Sequence, residues 1–342
     1  MNLVGVLCIC LLLLLILSCC LCNKELFSSP KSVYFDKSDN LPDSDLYVLY
    51  SAGNSGYQEW QSDLLDFSFK ESKQPGILIR IVSDDSKDQR PIIKTKDPKE
   101  RYTMITPDFS KLTDTKIWPV MNKPGSMEYF INRLSPEFKQ RNKQATLVFL
   151  DPDMIFIKSW DPRNDFKMGE VIGQKWKGYS NGYCSQTSID TGYCPKSESN
   201  SDNSGPLMFP FAIKMGDMEK IAGDVSNYAK KGYLKHNQWM ADMSAFVTAI
   251  EKHELKNKQI DNLGICNDWD NNDDPDAKIM HYCQAAKNKD GKEIWGKRRY
   301  QSGYKHGDTF DPVPDPSETM NRVDREVLTL INRFRVKQSK NK

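Results

Sequence analysis

Two carboxylates set two residues apart, Asp151 and Asp153, interrupt an apolar run that begins at Ala145 and resumes with Met154-Ile155-Phe156. In an extended chain, side chains at i and i+2 share a face, so this pair can grip one cation together. Pro152 between them lacks an N–H, belongs at a strand end, and biases Asp151 toward an extended backbone. Carboxylate oxygens suit hard Mg2+ or Mn2+, ions that commonly keep positions open for phosphate oxygens. The chemistry on offer is a divalent cation held against a diphosphate. An ordinary Asp-Pro turn after a core strand would give the same tripeptide, so the surrounding elements have to decide between the two.

Those elements alternate. A strand over Leu46-Tyr47-Val48-Leu49-Tyr50 ends in the small-residue turn Ser51–Gly56, and Trp60, Leu64, Leu65 and Phe67 then mark a helix. This is the opening of an α/β nucleotide-binding unit. The turn lets backbone approach a ligand, but it is not GxGxxG and gives a dinucleotide no support. Pro75-Gly76 turns the chain into a second strand, Ile77–Val82, and residues 84–103 read as a charged surface loop. Asn122-Lys123-Pro124 opens a helix carrying Met127, Phe130, Ile131 and Leu134 at helical spacing, and the strand leading to Asp151 follows. Alternation of this kind implies a largely parallel sheet, and such sheets bind ligands beyond their strands' carboxyl ends, where Ser51–Gly56 and Asp151–Asp153 both fall. The Ser/Asn/Gly-rich stretch from Gly178 to Gly205 is a lid or simply an insertion. Beyond it come two amphipathic helices, marked by Met218, Ile221, Ala222, Val225 and Ala229 and by Met240, Met243, Phe246, Val247 and Ile250. A short strand, residues 277–283, carries His281 near its end.

The chain of 342 residues has 48 basic and 46 acidic side chains, a net charge of +2, so no bulk field favours nucleic acid. Leu3 to Cys22 is an uncharged run long enough to span a bilayer. It reads as a signal-anchor or a cleaved signal peptide, and either sends the body of the chain into the secretory pathway. Cys184, Cys194, Cys266 and Cys283 form an even set outside that run, as two disulfides require. Sequence leaves the pairing open, with Cys184–Cys194 the local option. A zinc site built from all four lacks any CxxC pair.

Several segments together resemble the plant and algal peptidyl-serine α-galactosyltransferases and hydroxyproline O-arabinosyltransferases. They are Tyr57-Gln58-Glu59-Trp60-Gln61, Ser68 to Gly76, Arg80, Trp118-Pro119, Asn122-Lys123-Pro124, Leu150 to Met154, Gly205-Pro206, Trp239 to Phe246, and His281-Tyr282. Leu-Asp-x-Asp-Met and Asn-Lys-Pro resemble the serine galactosyltransferase branch more. Two features depart from the family: the long Ser/Asn insertion, and the stretch Gln284 to Asp308, which fits it loosely.

The resemblance implies a GT-A fold, meaning a Rossmann-like, mostly parallel sheet flanked by helices, over residues 45–310. A hydrophobic segment (1–22) and a polar stem (23–44) precede it, and a helical tail (311–342) follows. It implies a retaining, Mn2+- or Mg2+-dependent transfer of a sugar, galactose above others, from a UDP-sugar to a serine or hydroxyproline hydroxyl of a glycoprotein or peptide. The setting is the lumen of the endoplasmic reticulum or Golgi, with the N-terminal segment in the membrane. Asp151, Asp153 and His281 are the expected metal ligands, with His306 in reserve; a strand histidine satisfied by its neighbours is the plainer alternative for His281. Ser51, Gln58, Arg80, Asn122, Lys123 and Lys297 are expected at the donor, and Gly205 and Trp239 at the acceptor. Asp242 is expected to face the acceptor or the anomeric carbon, joining Asp151 and Asp153 as a catalytic carboxylate. Arg80 could equally face solvent, Lys297-Arg298-Arg299 could be a solvated turn, and Trp239 could simply pack. Three rival classes remain: an enzyme moving another UDP-sugar onto a glycan, a phosphatase, and a non-catalytic lumenal carbohydrate-binding protein.

Overall fold

A computed structural model describes residues 33–35, 41–84, 102–175, 207–237, 240–267, 273–300 and 312–340. Its centre is an eight-stranded sheet in the order β1-β4-β3-β2-β5-β8-β7-β9. The strands are β1 (Val33–Phe35), β2 (Leu46–Gly53), β3 (Ile77–Ser83), β4 (Tyr102–Thr106), β5 (Thr146–Leu150), β7 (Glu170–Lys175), β8 (Leu207–Lys214) and β9 (Lys256–Ile260). Of these, β8 runs antiparallel to both its neighbours, and every other pairing in the sheet is parallel. A parallel sheet must be covered on both faces, which is why β5 is an unbroken buried run rather than an alternating one.

One layer is built from α2 (Asn122–Arg133), α4 (Met215–His236) and α5 (Ala241–Lys252). Their apolar stripes join the strands in the main core, where Phe211 of β8 stacks on Phe246 of α5 at 3.8 Å. The short α3 (Pro136–Arg141) packs beside them, Phe138 against Tyr47. Helix α1 (Gly56–Glu71) starts directly after β2, with the Ser55 hydroxyl accepting from Gln58 N, a standard N-cap. It serves two cores. Leu65 enters the main one, while Trp60, Leu64 and Phe67 enter a second.

That second core holds a three-stranded sheet, β10 (Gly264–Cys266), β11 (Ile279–His281) and β6 (Met154–Phe156), and a ribbon of β12 (Ala286–Lys287) and β13 (Glu293–Trp295). The C-terminal α6 (Arg322–Lys340) closes it with Val323, Val327, Leu328 and Ile331, all at most 1% exposed.

The architecture is the mixed α/β one expected, with differences at its margins. Within the stretch read as a stem, β1 adds a strand beside β4 and Leu41 is buried in the main core. The charged loop read over residues 84–103 ends early, since Tyr102 already starts β4. The tail is no appendage, because its helix carries part of a core. The apolar run 1–22 and the Ser/Asn insertion lie outside the described residues, and among those described no helix is long and apolar enough to cross a membrane.

Candidate active site

Asp151 follows the last residue of β5, in a tight turn closed by Met154 N donating to Asp151 O at 3.1 Å. The carboxylates therefore converge through a turn between β5 and β6 rather than along one extended strand. β6 pairs antiparallel with β11 so that Met154 faces His281, and Tyr282 N donates to Asp153 O at 3.2 Å. Register alone thus carries the imidazole to the carboxylates. Asp151, Asp153 and His281 each offer a ligand atom, all within 4.8 Å of one another. His281 Nε2 lies 3.1 Å from Asp153 Oδ1, and its Nδ1 is buried with no hydrogen-bond partner among the described residues.

Cations meet these carboxylates from two sides. Lys297, just beyond β13, contacts Asp153 Oδ2. Lys123, in the first turn of α2, sits 2.7 Å from Asp151 Oδ1 and 2.9 Å from Asp242 Oδ2, with its ammonium 4.1 Å from the centre of the Phe209 ring. Asp242 occupies the first turn of α5, where a helix favours negative charge. A small cavity opens against this pair, lined by Lys123, Pro124, Met127, Phe209, Asp242 and Phe246.

Burial alone would lift the Asp153 carboxyl, but His281 and Lys297 outweigh it and hold Asp153 far below the usual carboxylate range. Burial would likewise discharge Lys123, yet Asp151 and Asp242 keep its pKa above that of a free lysine. Lys297 is raised in the same way by Asp153. Asp242 moves the other way: burial pushes it up, and Lys123 offsets this only in part. Tyr282 is pushed well up by burial and by the charge of Asp153.

The expected residues divide accordingly. Asp151, Asp153, His281, Lys123, Asp242 and Lys297 come together. Ser51, Gln58 and Asn122 stand at the same rim with their polar groups turned to the protein. Ser51 Oγ donates to Asn122 O at 3.3 Å, Gln58 Oε1 accepts from Gly53 N, and Asn122 Oδ1 accepts from Phe109 N at 2.6 Å. Arg80, also expected at the donor, is paired within the protein. It is 3% exposed, and both terminal nitrogens are taken by Glu59 at 2.8 and 2.6 Å. A middle position on a central parallel strand buries it, so a neutralising carboxylate is obligatory. Gly205, Trp239, His306, Cys184 and Cys194 lie outside the described residues.

Cys266 and Cys283 are bonded to each other, tying the end of β10 to the residues just after His281. Sequence reasoning passed over Phe209 as the ring beneath Lys123, and over Glu59 as the partner of Arg80.

The fold is a mixed α/β one whose mostly parallel central sheet presents an acidic, lysine-flanked cluster beyond its carboxyl ends. No family model matches the chain. The peptidyl serine alpha-galactosyltransferase of Arabidopsis thaliana is 24% identical over 272 residues, 73% of this chain. The match spans 31% of that protein's length. Among solved structures, the apo form of the bifunctional glycosyltransferase WbbM superimposes with a TM-score of 0.47 and 9% identity, over 88% of this chain and 52% of that one. Both proteins are glycosyltransferases.

Proposed function

We propose that this chain is a metal-dependent, retaining glycosyltransferase that moves galactose from UDP-galactose to a serine or hydroxyproline hydroxyl of a secretory-pathway protein. The observation that carries the reading is the convergence of Asp151, Asp153 and His281 within 4.8 Å, flanked by two lysines. Two carboxylates with one imidazole suit Mn2+, and Mg2+ less well. When bound, the cation supplies Lewis-acid neutralisation of the diphosphate charge. Asp151, Asp153 and His281 would hold it.

The remaining work belongs to the chain's own side chains. Lys297, already beside Asp153, stands ready to take up negative charge as UDP departs. Asp242 is 4% exposed and tied to Lys123, a placement that suits orienting the lysine better than attacking an anomeric carbon. That favours front-side attack, in which the acceptor hydroxyl enters on the face the diphosphate leaves and the leaving phosphate takes its proton. The galactose donor and the peptide acceptor rest on the similarity to the serine galactosyltransferase. The site of action in this reading is the endoplasmic reticulum or Golgi lumen, with residues 1–22 in the membrane.

The test is UDP release and transfer with Mn2+ across UDP-galactose, UDP-glucose and UDP-arabinofuranose, using peptides with a serine beside a hydroxyproline run. Galactose transfer that stops on chelation supports the proposal. Transfer of another sugar, or transfer to glycans alone, overturns the substrate while leaving the metal site. UDP-sugar binding without turnover overturns the enzyme.

A further inference from the structure

The ammonium of Lys123 stands between carboxylates from two different elements, Asp151 after β5 and Asp242 at the start of α5, at 2.7 and 2.9 Å. Its side chain is 14% exposed, and Asp242's is 4% exposed. Neither group has water enough to substitute for the other. Asp151 is also one of the three residues that converge as metal ligands. The same carboxylate therefore serves a built-in monovalent cation and an expected divalent one. Three carboxylates, Asp151, Asp153 and Asp242, face two ammoniums, Lys123 and Lys297, in this cluster.

We propose that Lys123 is an internal counter-cation that competes with the divalent metal for Asp151, so that metal loading shifts its ammonium onto Asp242. This rests on the metal-site reading above. Asp242 is the alternative berth: it retains the lysine's charge when Asp151 turns to the metal, and the face of Phe209 at 4.1 Å supports the ammonium on that side. Met127, Phe209 and Phe246 flank the ion pair on this side. A nucleotide diphosphate would bind both cations, so competition between them falls when the donor is present. Metal and donor then reinforce each other, and by linkage the reinforcement is reciprocal.

The experiment is Mn2+ titration of the full chain by calorimetry and by EPR of free Mn2+, with and without UDP. Lys123→Met should bind Mn2+ about tenfold more tightly than the unaltered chain in the absence of UDP, within the usual range of coupling between two sites. UDP should then sharpen Mn2+ binding less than it does in the unaltered chain. Asp242→Asn should act in the opposite direction, because Lys123 is left with Asp151 as its sole carboxylate and holds it harder. The double change Lys123→Met/Asp242→Asn removes the pair together and should keep the tighter binding without leaving a buried carboxylate unpaired. Unchanged or weaker Mn2+ binding in both the single lysine variant and the double variant, with Asp153→Ala abolishing it, overturns the inference and leaves the metal site standing. Mn2+ binding absent from the unaltered chain with or without UDP overturns both.

Discussion

Asp153 meets an imidazole and an ammonium at once, at a position 9% exposed, and its charge is kept by those two partners against the cost of burial. Replacing it with alanine removes a proposed metal ligand and little core volume. The fold should survive, as judged by an unchanged near-ultraviolet spectrum, while transfer falls by on the order of a thousandfold or more, the loss of several kcal/mol of barrier lowering. Full activity in Asp153→Ala would remove the metal assignment. Glu251 is a residue of another kind. Burial raises its pKa from 4.5 to about 7, and its Oε2 is buried without a hydrogen-bond partner among the described residues. Because the folded value exceeds the unfolded one, the protein is penalised as pH rises from 4.5 through about 7, where the unfolded chain ionises and the folded one resists. Glu251→Gln should therefore raise the melting temperature above about pH 8 and leave it nearly unchanged near pH 4. An equal gain at both pH values would show that desolvation of the carboxylate is not the cause.

At the scale of elements, the strands and helices that position the site follow from periodicity, and the way they meet does not. Leu46–Tyr50, Ile77–Val82 and the run into Asp151 were readable as strands because each is a continuous apolar segment bounded by turn residues. The helices after Ser55, Asn122, Met215 and Met240 were readable from their 3.6-residue stripes. Chain order, in contrast, does not encode that β8 would run against its neighbours, or that β6 would leave the main sheet to pair with β11. It is that second pairing that delivers His281, so the candidate metal ligands were visible as chemistry before they were visible as geometry. The helix α6 illustrates the same limit: a polar, basic C-terminal stretch hides a stripe that is buried because α1 and β11 offer an apolar face. Leu328 is fully buried there, so Leu328→Ala should cost roughly 2–5 kcal/mol, read as a fall in denaturation midpoint with unchanged slope. A cost under about 0.5 kcal/mol, the size of a surface change, would mean the helix is an appendage after all.

Across the whole molecule, the two cores are joined at the site. The main core ends in Asp151, the second in His281, and the disulfide from Cys266 to Cys283 holds the second one together beside that junction. Asn267, next to the bridge, donates to Asp324 at 2.8 Å and accepts from Gln284 N at 3.1 Å, so the C-terminal helix is tied to the same knot. With a sequence separation of 17, the bridge should add roughly 3 kcal/mol by restricting the unfolded chain. Such a bond persists in an oxidising compartment, in keeping with the lumenal setting proposed from the apolar N-terminal run. Chain purified from the secretory pathway of a eukaryotic host should yield, on non-reducing peptide mapping, Cys266 linked to Cys283 and the remaining pair, Cys184 and Cys194, linked to each other. Mild reduction should lower the melting temperature and weaken Mn2+ binding, because the strand bearing His281 loses its covalent brace. If all four thiols prove free in protein made that way, the argument from cysteine to compartment fails; if reduction leaves Mn2+ affinity untouched, strand pairing with β6 alone holds His281 in place.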